Sequence, residues 1–422
     1  MLTYYKTKIQ RLITQYKTPI LYSGSSIARA FASLVVGFFI AKYVSPEDLG
    51  IWATLNLAVT YSLFIQAGLI NGLNLELPYT YGKGDVELGR RMAGTVQTYT
   101  FFTAIIILTA GIIFFLNIPA SNLKYKFGTI AITFFIILSF YQNYLLSTFR
   151  SNNSFNKLSV IQIIDTCVNL LSLVLVAYYS YYGLIIKAVI VIFIYVLLLH
   201  FSRPIKVKFI WDKIAFLKLI KVGLPIFGLV YLDSFSSNID KLLLINFSSL
   251  IDVGLYSFAF YSLTLFSLFS SSIASYIYPR MTYNYGLNND KLVLWKYVKN
   301  ITLLLVIIQL PLAIIGYYAI PIAITTYFPN YLMSIKTMQI LIFAGFFKGS
   351  VIGVNVLWSI KNWKYMICYQ VIYSLLLFTS TYIGIISYSI KIEGIAYGVL
   401  IANMINLLSA SYLTYRATHS NR

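Results

Sequence analysis

Charge is what this chain has least of. Asp, Glu, Lys and Arg make up 10% of its 422 residues, against about 25% in an ordinary soluble domain. Too few polar side chains are present to cover a water-facing surface, which excludes a soluble globule of this size. Acid is scarcer than base, with 12 Asp and Glu against 32 Lys and Arg and a net charge of +20. The two cysteines, Cys167 and Cys368, lie inside apolar runs, so they read as small packing residues and not as a disulfide framework. The two histidines, His200 and His419, have no ligand spacing around them. There is no Gly-rich phosphate loop, nucleophile elbow or CxxC pair. No catalytic residue, cofactor or metal ion is therefore expected.

What remains is apolar, at 59% of the chain. Twelve runs recur, at about 20–42, 52–76, 93–116, 127–148, 158–179, 183–202, 219–246, 254–279, 300–326, 337–360, 365–388 and 393–415. Each can cross a hydrocarbon core of about 30 Å as a helix, and none shows the sustained alternation of a barrel strand. The expected class is an all-α polytopic membrane protein with twelve transmembrane helices. The first run is too long and too far from the start for a signal peptide, and reads as a retained helix.

The chain also repeats itself. Asp48-Leu49-Gly50-Ile51-Trp52 returns as Asp252-Val253-Gly254-Leu255-Tyr256, and each copy lies between two apolar runs. Gly82 to Asp85 is matched by Gly286 to Asp290, Ser147 to Ser151 by Ser359 to Asn362, and Gly183 by Gly394. This predicts two pseudo-symmetric six-helix bundles, residues 1–202 and 222–422, joined by an amphipathic cytoplasmic linker over 203–221. An even number of spans per half relates the halves by an axis along the membrane normal and directs attention to their interface as a substrate site.

Basic residues orient the chain. With the N-terminus inside, 23 Lys and Arg fall on the cytoplasmic side, Lys361 and Arg422 among them, against five outside. The positive-inside rule then predicts two cytoplasmic termini. This charge sits beside lipid head groups and forms no soluble basic domain, so nucleic acid is not an expected partner.

A charge at membrane depth costs several kcal/mol or so unless something compensates it. The first span carries Arg29 after a small, polar stretch, Ser23 to Ala28. The seventh carries Asp233, Asp240 and Lys241, with Ser237 completing a stripe at i, i+4, i+7. Asp165, Lys187 and Lys348 are single charges on spans five, six and ten, and Glu76 lies at the inner end of span two. The basic set, Arg29, Lys241, Lys187 and Lys348, is expected to bind an anionic substrate. The acidic set, Asp233, Asp240, Asp165 and Glu76, is expected to serve ion coupling or gating. Because Arg29 and Asp233 occupy matching repeat positions, they are expected to pair across a cavity in one conformation. Snorkelling, helix packing and buried structural ion pairs are the competing explanations for these charges.

Ala41-Lys42-Tyr43-Val44-Ser45-Pro46-Glu47-Asp48-Leu49-Gly50-Ile51-Trp52 resembles the junction of spans one and two in polysaccharide exporters. Asp240 to Ile245 with Ile251 to Tyr256, Tyr278-Pro279-Arg280 and Leu357 to Lys361 are similar to later junctions of the same proteins. These are the Wzx-type O-antigen and capsule flippases of the multidrug/oligosaccharidyl-lipid/polysaccharide exporter superfamily. The resemblance implies two bundles around a central cavity. It also implies flipping of undecaprenyl-pyrophosphate-linked repeat units between leaflets of the bacterial inner membrane by alternating access. Basic lumen residues on spans one, two, seven and eight would attract the pyrophosphate, which fits Arg29 and Lys241 but not Lys187 or Lys348. Membrane lipids, a polysaccharide polymerase and a chain-length regulator are the further partners expected. A cation-coupled multidrug exporter of the same superfamily is the main rival reading; a membrane enzyme or a scaffold of glycan assembly fits the short outer loops and buried charges less well.

Overall fold

In the computed structural model, residues 2–288, 290–360 and 362–419 are described. Lys361 and Arg422 lie outside them. Helices follow one another in chain order, with no strand among the described residues. The first are α1 (Leu2–Tyr43), α2 (Pro46–Ser62), α3 (Leu69–Gly82), α4 (Val86–Asn117) and α5 (Leu123–Ser151). Next come α6 (Phe155–Leu171), α7 (Leu173–Ser202), α8 (Lys213–Ser236), α9 (Ile239–Phe247) and α10 (Leu250–Asn288). The last are α11 (Lys291–Tyr327), α12 (Ile335–Gly349), α13 (Val354–Ser359), α14 (Trp363–Ser387) and α15 (Lys391–His419). In lipid every backbone N–H and C=O must find a partner within its own segment, which is why apolar runs of this length become helices.

Among the described residues, eleven helical segments are long and apolar enough to cross a membrane. The run expected at 158–179 is not among them because α6 stops at 17 residues. Within α7, however, Ser180 leaves the helical region at φ 47°, ψ −119°. Three residues on, a Cβ on Gly183 would lie 1.9 Å from the carbonyl oxygen of Leu175. The chain thus folds back sharply at Ser180, and Gly183 is required where the two arms touch. Ser172, between α6 and α7, keeps right-handed helical angles, and the turn at Ser180 divides α7 into two arms. The run at 158–179 thus covers α6 and the first arm of α7, and the run at 183–202 lies in the second arm.

The packing forms two compact units. Unit 1 comprises residues 1–36 and 58–231, and unit 2 comprises 37–57 and 232–422. These units do not follow the halves of the repeat: 37–57 lie in the first half but pack in unit 2, and 222–231 lie in the second but pack in unit 1. The core of unit 1 joins Leu73 and Leu77 of α3, Met92 of α4, Tyr144 and Phe149 of α5, Leu158 of α6, Leu199 of α7 and Leu219 of α8. In unit 2 one cluster gathers Leu294, Val298 and Leu305 of α11 with Val356 of α13. In another, the Tyr331 ring lies 4.4 Å from that of Phe258 while its hydroxyl donates to the Val44 carbonyl at 2.9 Å.

The repeated motifs have structural work to do. Ser45 and Ser249 each accept the backbone N–H three residues on, from Asp48 and Asp252 at 3.2 Å in both cases. The Asp252 carboxylate reaches back to the N–H of Ser249 at 3.5 Å, which is the reciprocal pattern of a capping box. Two residues further on, Gly50 and Gly254 bring α2 and α10 into contact within unit 2. A Cβ on Gly50 would lie 1.9 Å from the Leu250 carbonyl oxygen, and one on Gly254 would lie 1.7 Å from that of Pro46. Asp85 and Asp290, the matched acids downstream, are the N-caps of α4 and α11, accepting from Leu88 at 3.0 Å and from Leu292 at 2.8 Å.

The linker takes a different form from its sequence pattern. Residues 203–212 are not helical, and the near-helical spacing of 203–221 is realised only from Lys213 onward. Asp212 explains the late start, because its carboxylate accepts the N–H groups of Ile214 and Ala215 and caps α8. The preceding residues run along α4, where Thr98 donates to the Ile210 carbonyl at 2.9 Å. Gly94 admits the Lys208 carbonyl there, 2.9 Å from where its Cβ would stand.

Candidate functional site

The intramembrane charges of unit 1 converge on one place. Gln162, Asp165 and Asn169 share a face of α6 at i, i+3, i+7 spacing, and Ser25 and Arg29 share a face of α1 at i, i+4. The Arg29 Nε lies 2.8 Å from Asp165 Oδ2. The guanidinium sits 4.5 Å over the ring of Tyr195 on α7, and Nη1 donates to the Tyr195 hydroxyl at 3.4 Å. Below the ion pair, Ser25 donates to Gln162 Oε1 at 2.7 Å. Lys187 on α7 donates to Asn169 Oδ1 at 2.5 Å, and its charge acts on Asp165 as that of Arg29 does.

Exposure separates these groups. The Asp165 side chain is 3% exposed and that of Arg29 is 33% exposed. The second carboxylate oxygen of Asp165 is buried without a hydrogen-bond partner. Two cations face one carboxylate here, so the cluster carries a surplus positive charge with Arg29 at its accessible edge. A guanidinium has five donors in a planar fork. Asp165 and Tyr195 engage only part of that fork, which leaves geometry suited to a phosphate or carboxylate.

Unit 2 places its charges at helix breaks. The seventh run is interrupted between α8 and α9, at Ser237 and Asn238, with Asp233 just before the gap and Asp240 and Lys241 just after it. The tenth run breaks between α12 and α13, directly after Lys348 and Gly349. Asp240 is buried and accepts from the Tyr256 hydroxyl at 2.7 Å and from the backbone N–H of Lys241 at 2.8 Å. Asp233 is exposed and accepts from Gln370 Nε2 at 3.3 Å. The Lys241 ammonium lies 4.7 Å over the ring of Phe260. Lys348 completes the set, near enough for its charge to be felt by Lys241 and to feel both acids. Two acids and two bases balance. Broken helices of this kind expose backbone dipoles where transporters hold ions. No group of three or more His, Cys, Asp or Glu suited to a metal occurs among the described residues.

Arg29 and Asp233, expected to pair in one conformation, each have a partner within their own unit: Asp165 for Arg29 in unit 1 and Gln370 for Asp233 in unit 2. Glu76 is paired, with Lys218 of α8 at 3.0 Å. That pair lies beside a close crossing of α3 and α8, where a Cβ on Gly72 would stand 2.2 Å from the Leu219 carbonyl oxygen. Tyr195, Asn169, Gln162, Tyr256 and Gln370 were not anticipated. The spacing of Gln162, Asp165 and Asn169 was a usable signal, whereas nothing distinguishes Tyr195 among 37 tyrosines.

Solved structures share this architecture. An inward-facing multidrug resistance MATE family transporter of the MOP superfamily superposes with a TM-score of 0.69, at 12% identity over 93% of this chain and 95% of that one. The lipid II flippase MurJ in an inward closed conformation gives 0.68, at 17% identity over 93% of this chain and 87% of its own. The Vibrio cholerae MATE transporter VcmN gives 0.61, at 15% identity over 99% and 98%. No curated protein matched the sequence. At these identities the likeness establishes a fold and nothing finer. A family model described as "Polysaccharide biosynthesis protein" matches residues 90–335, so this multi-pass membrane chain belongs to the polysaccharide biosynthesis protein family.

Proposed function

We propose that the chain is a flippase. It carries undecaprenyl-pyrophosphate-linked oligosaccharide repeat units from the cytoplasmic to the periplasmic leaflet by alternating access, coupled to an ion, for O-antigen or capsule assembly. The observation that supports this most is the surplus cation of unit 1: Arg29 presents a part-exposed guanidinium against Tyr195 while Lys187 shares its counter-ion. A pyrophosphate-bearing head group satisfies such a site, whereas a lipophilic cation is repelled by it. On this reading Lys241 and Lys348 extend the substrate path. Asp233 and Asp240 serve the coupling ion, because their helix breaks and balanced charge suit a small ion better than a large anion. Glu76, paired with Lys218, serves as a gate residue. The setting is the inner membrane with both termini cytoplasmic. Membrane lipids, a polysaccharide polymerase and a chain-length regulator are the partners, and nucleic acid is not.

Deletion in the native host tests this. Accumulation of the lipid-linked intermediate with loss of surface polysaccharide is expected, and an unchanged surface glycan would overturn the proposal. The multidrug-exporter reading draws on the superposed MATE transporters. It would be favoured by ion-driven drug efflux from vesicles with no effect of deletion on glycan display.

A further inference from the structure

Asp165 occupies an odd position for a residue of a substrate path. It is buried, yet it neutralises the more exposed of the cluster's two cations. An ordinary structural ion pair would use both oxygens, but here Oδ2 holds Arg29 at 2.8 Å and the buried Oδ1 has no hydrogen-bond partner. A second cation, Lys187, also acts on it, tethered to Asn169 at 2.5 Å and 6% exposed, where a bulky ligand has no access. The carboxylate therefore has a reserve counter-ion that Arg29 does not share.

Resting on the anionic-substrate reading above, we infer that Asp165 is an internal stand-in for the anionic head group. It holds Arg29 when the site is empty, and a phosphate arriving from the exposed side displaces it. The guanidinium then turns its fork to the phosphate while Lys187 keeps the buried carboxylate compensated. No bond is made or broken and no proton needs to move; one oxyanion replaces another on the same cation. A lone buried carboxylate would make this exchange prohibitive, since an unpaired buried charge is strongly disfavoured. Lys187 removes that obstacle. Release follows from the same arrangement, because Asp165 recaptures Arg29 and expels the anion. A carrier needs this: binding must favour entry without preventing departure. Tyr195 holds the guanidinium plane in both states through its ring face. Asp165 is thus a positioning and affinity-setting residue and does not itself touch substrate.

The test uses the purified full-length chain in nanodiscs with inorganic pyrophosphate and farnesyl pyrophosphate as probes. Asp165→Asn keeps the shape and removes the charge, so both probes should bind about tenfold more tightly, the scale of one charge-assisted hydrogen bond. In vesicles, transfer of a lipid-linked pyrophosphate should slow, because release loses its competitor. Tighter binding with slower turnover is a split that a merely structural role would not produce. Asp165→Glu should restore binding toward the parent value. Asp165→Ala gives the same direction if the Asn variant does not fold. Equal or weaker binding by the neutral variants, while Arg29→Gln abolishes binding, would overturn the stand-in role and leave the anionic-substrate reading intact. Unchanged binding by Arg29→Gln would instead overturn that reading at this site.

Discussion

The two compact units solve the same problem, charge buried in lipid, in different ways. Unit 1 has two cations to one acid on continuous stretches of helix, with the arginine at the accessible edge. Unit 2 has two acids and two bases placed where helices break, with Asp240 capped by Tyr256 and by the next backbone N–H. An unbalanced cluster on rigid helices selects by charge and holds a large group at its rim. A balanced cluster at broken helices offers backbone dipoles and small spaces, and suits an ion that must enter and leave. On the proposed function, unit 1 carries the surplus cation for the substrate, while the acids of unit 2 serve the coupling ion and its Lys241 and Lys348 extend the substrate path.

The sharpest way to break this comparison is to remove the surplus charge. Arg29→Gln should reduce transfer of a lipid-linked pyrophosphate in vesicles by about a hundredfold, the upper range for a buried, hydrogen-bonded charge. Loss of transfer on neutralising Lys241 with full activity in Arg29→Gln would reverse the assignment of the units. The next effect concerns folding. Gly254→Val forces a side chain into the Pro46 carbonyl, whose oxygen stands 1.7 Å from where the Cβ would be, and should destabilise the protein by about 2–4 kcal/mol, read as a lowered melting temperature. Gly24, with nothing near its Cβ position, should accept Ala with no comparable loss.

A smaller and more discriminating effect is expected at Asp240. Asp240→Asn should lower gradient-driven transfer about tenfold, within the range for a group that loses a charged hydrogen bond, while pyrophosphate binding to the purified chain stays as in the parent. Loss of pyrophosphate binding in that variant would merge the two sites into one. Smallest of all, Asp85→Ala and Asp290→Ala each remove an N-cap and should each cost about 1 kcal/mol by thermal melting. Similar losses would show that the matched acids remain equivalent in the two halves even where the charge clusters have diverged.

Much of the fold was legible because lipid allows few solutions: long apolar runs become helices wherever they occur. The hairpin at Ser180 was legible in outline, since the runs on either side were separable. The serine caps were present as Ser-x-x-Asp at Ser45 and Ser249, in the repeated segments that first marked the chain as two related halves. The helix breaks at Ser237 and after Gly349 were hidden, because a broken helix and a continuous one bury similar apolar sequence. For the candidate site, the charged residues were visible in the sequence and their partners were not. A charge at membrane depth announces itself by its cost, but whether Arg29 meets Asp165 or Asp233 depends on how α1 and α6 pack, which no linear spacing records. Tyr195 and Gln370 carried no signal, being polar residues of ordinary kind in ordinary places.

The crossing of Gly50 and Gly254 has a reciprocal form: Gly50 meets the carbonyl four residues before Gly254, and Gly254 meets the carbonyl four residues before Gly50. A contact in which each side is the image of the other is the signature of two identical surfaces meeting about a two-fold axis. An ancestral six-helix chain carrying one such glycine and one such serine cap would have been able to dock onto a second copy of itself here. A chain that joins two such copies carries this interface ready-made, whatever charges each copy bears elsewhere.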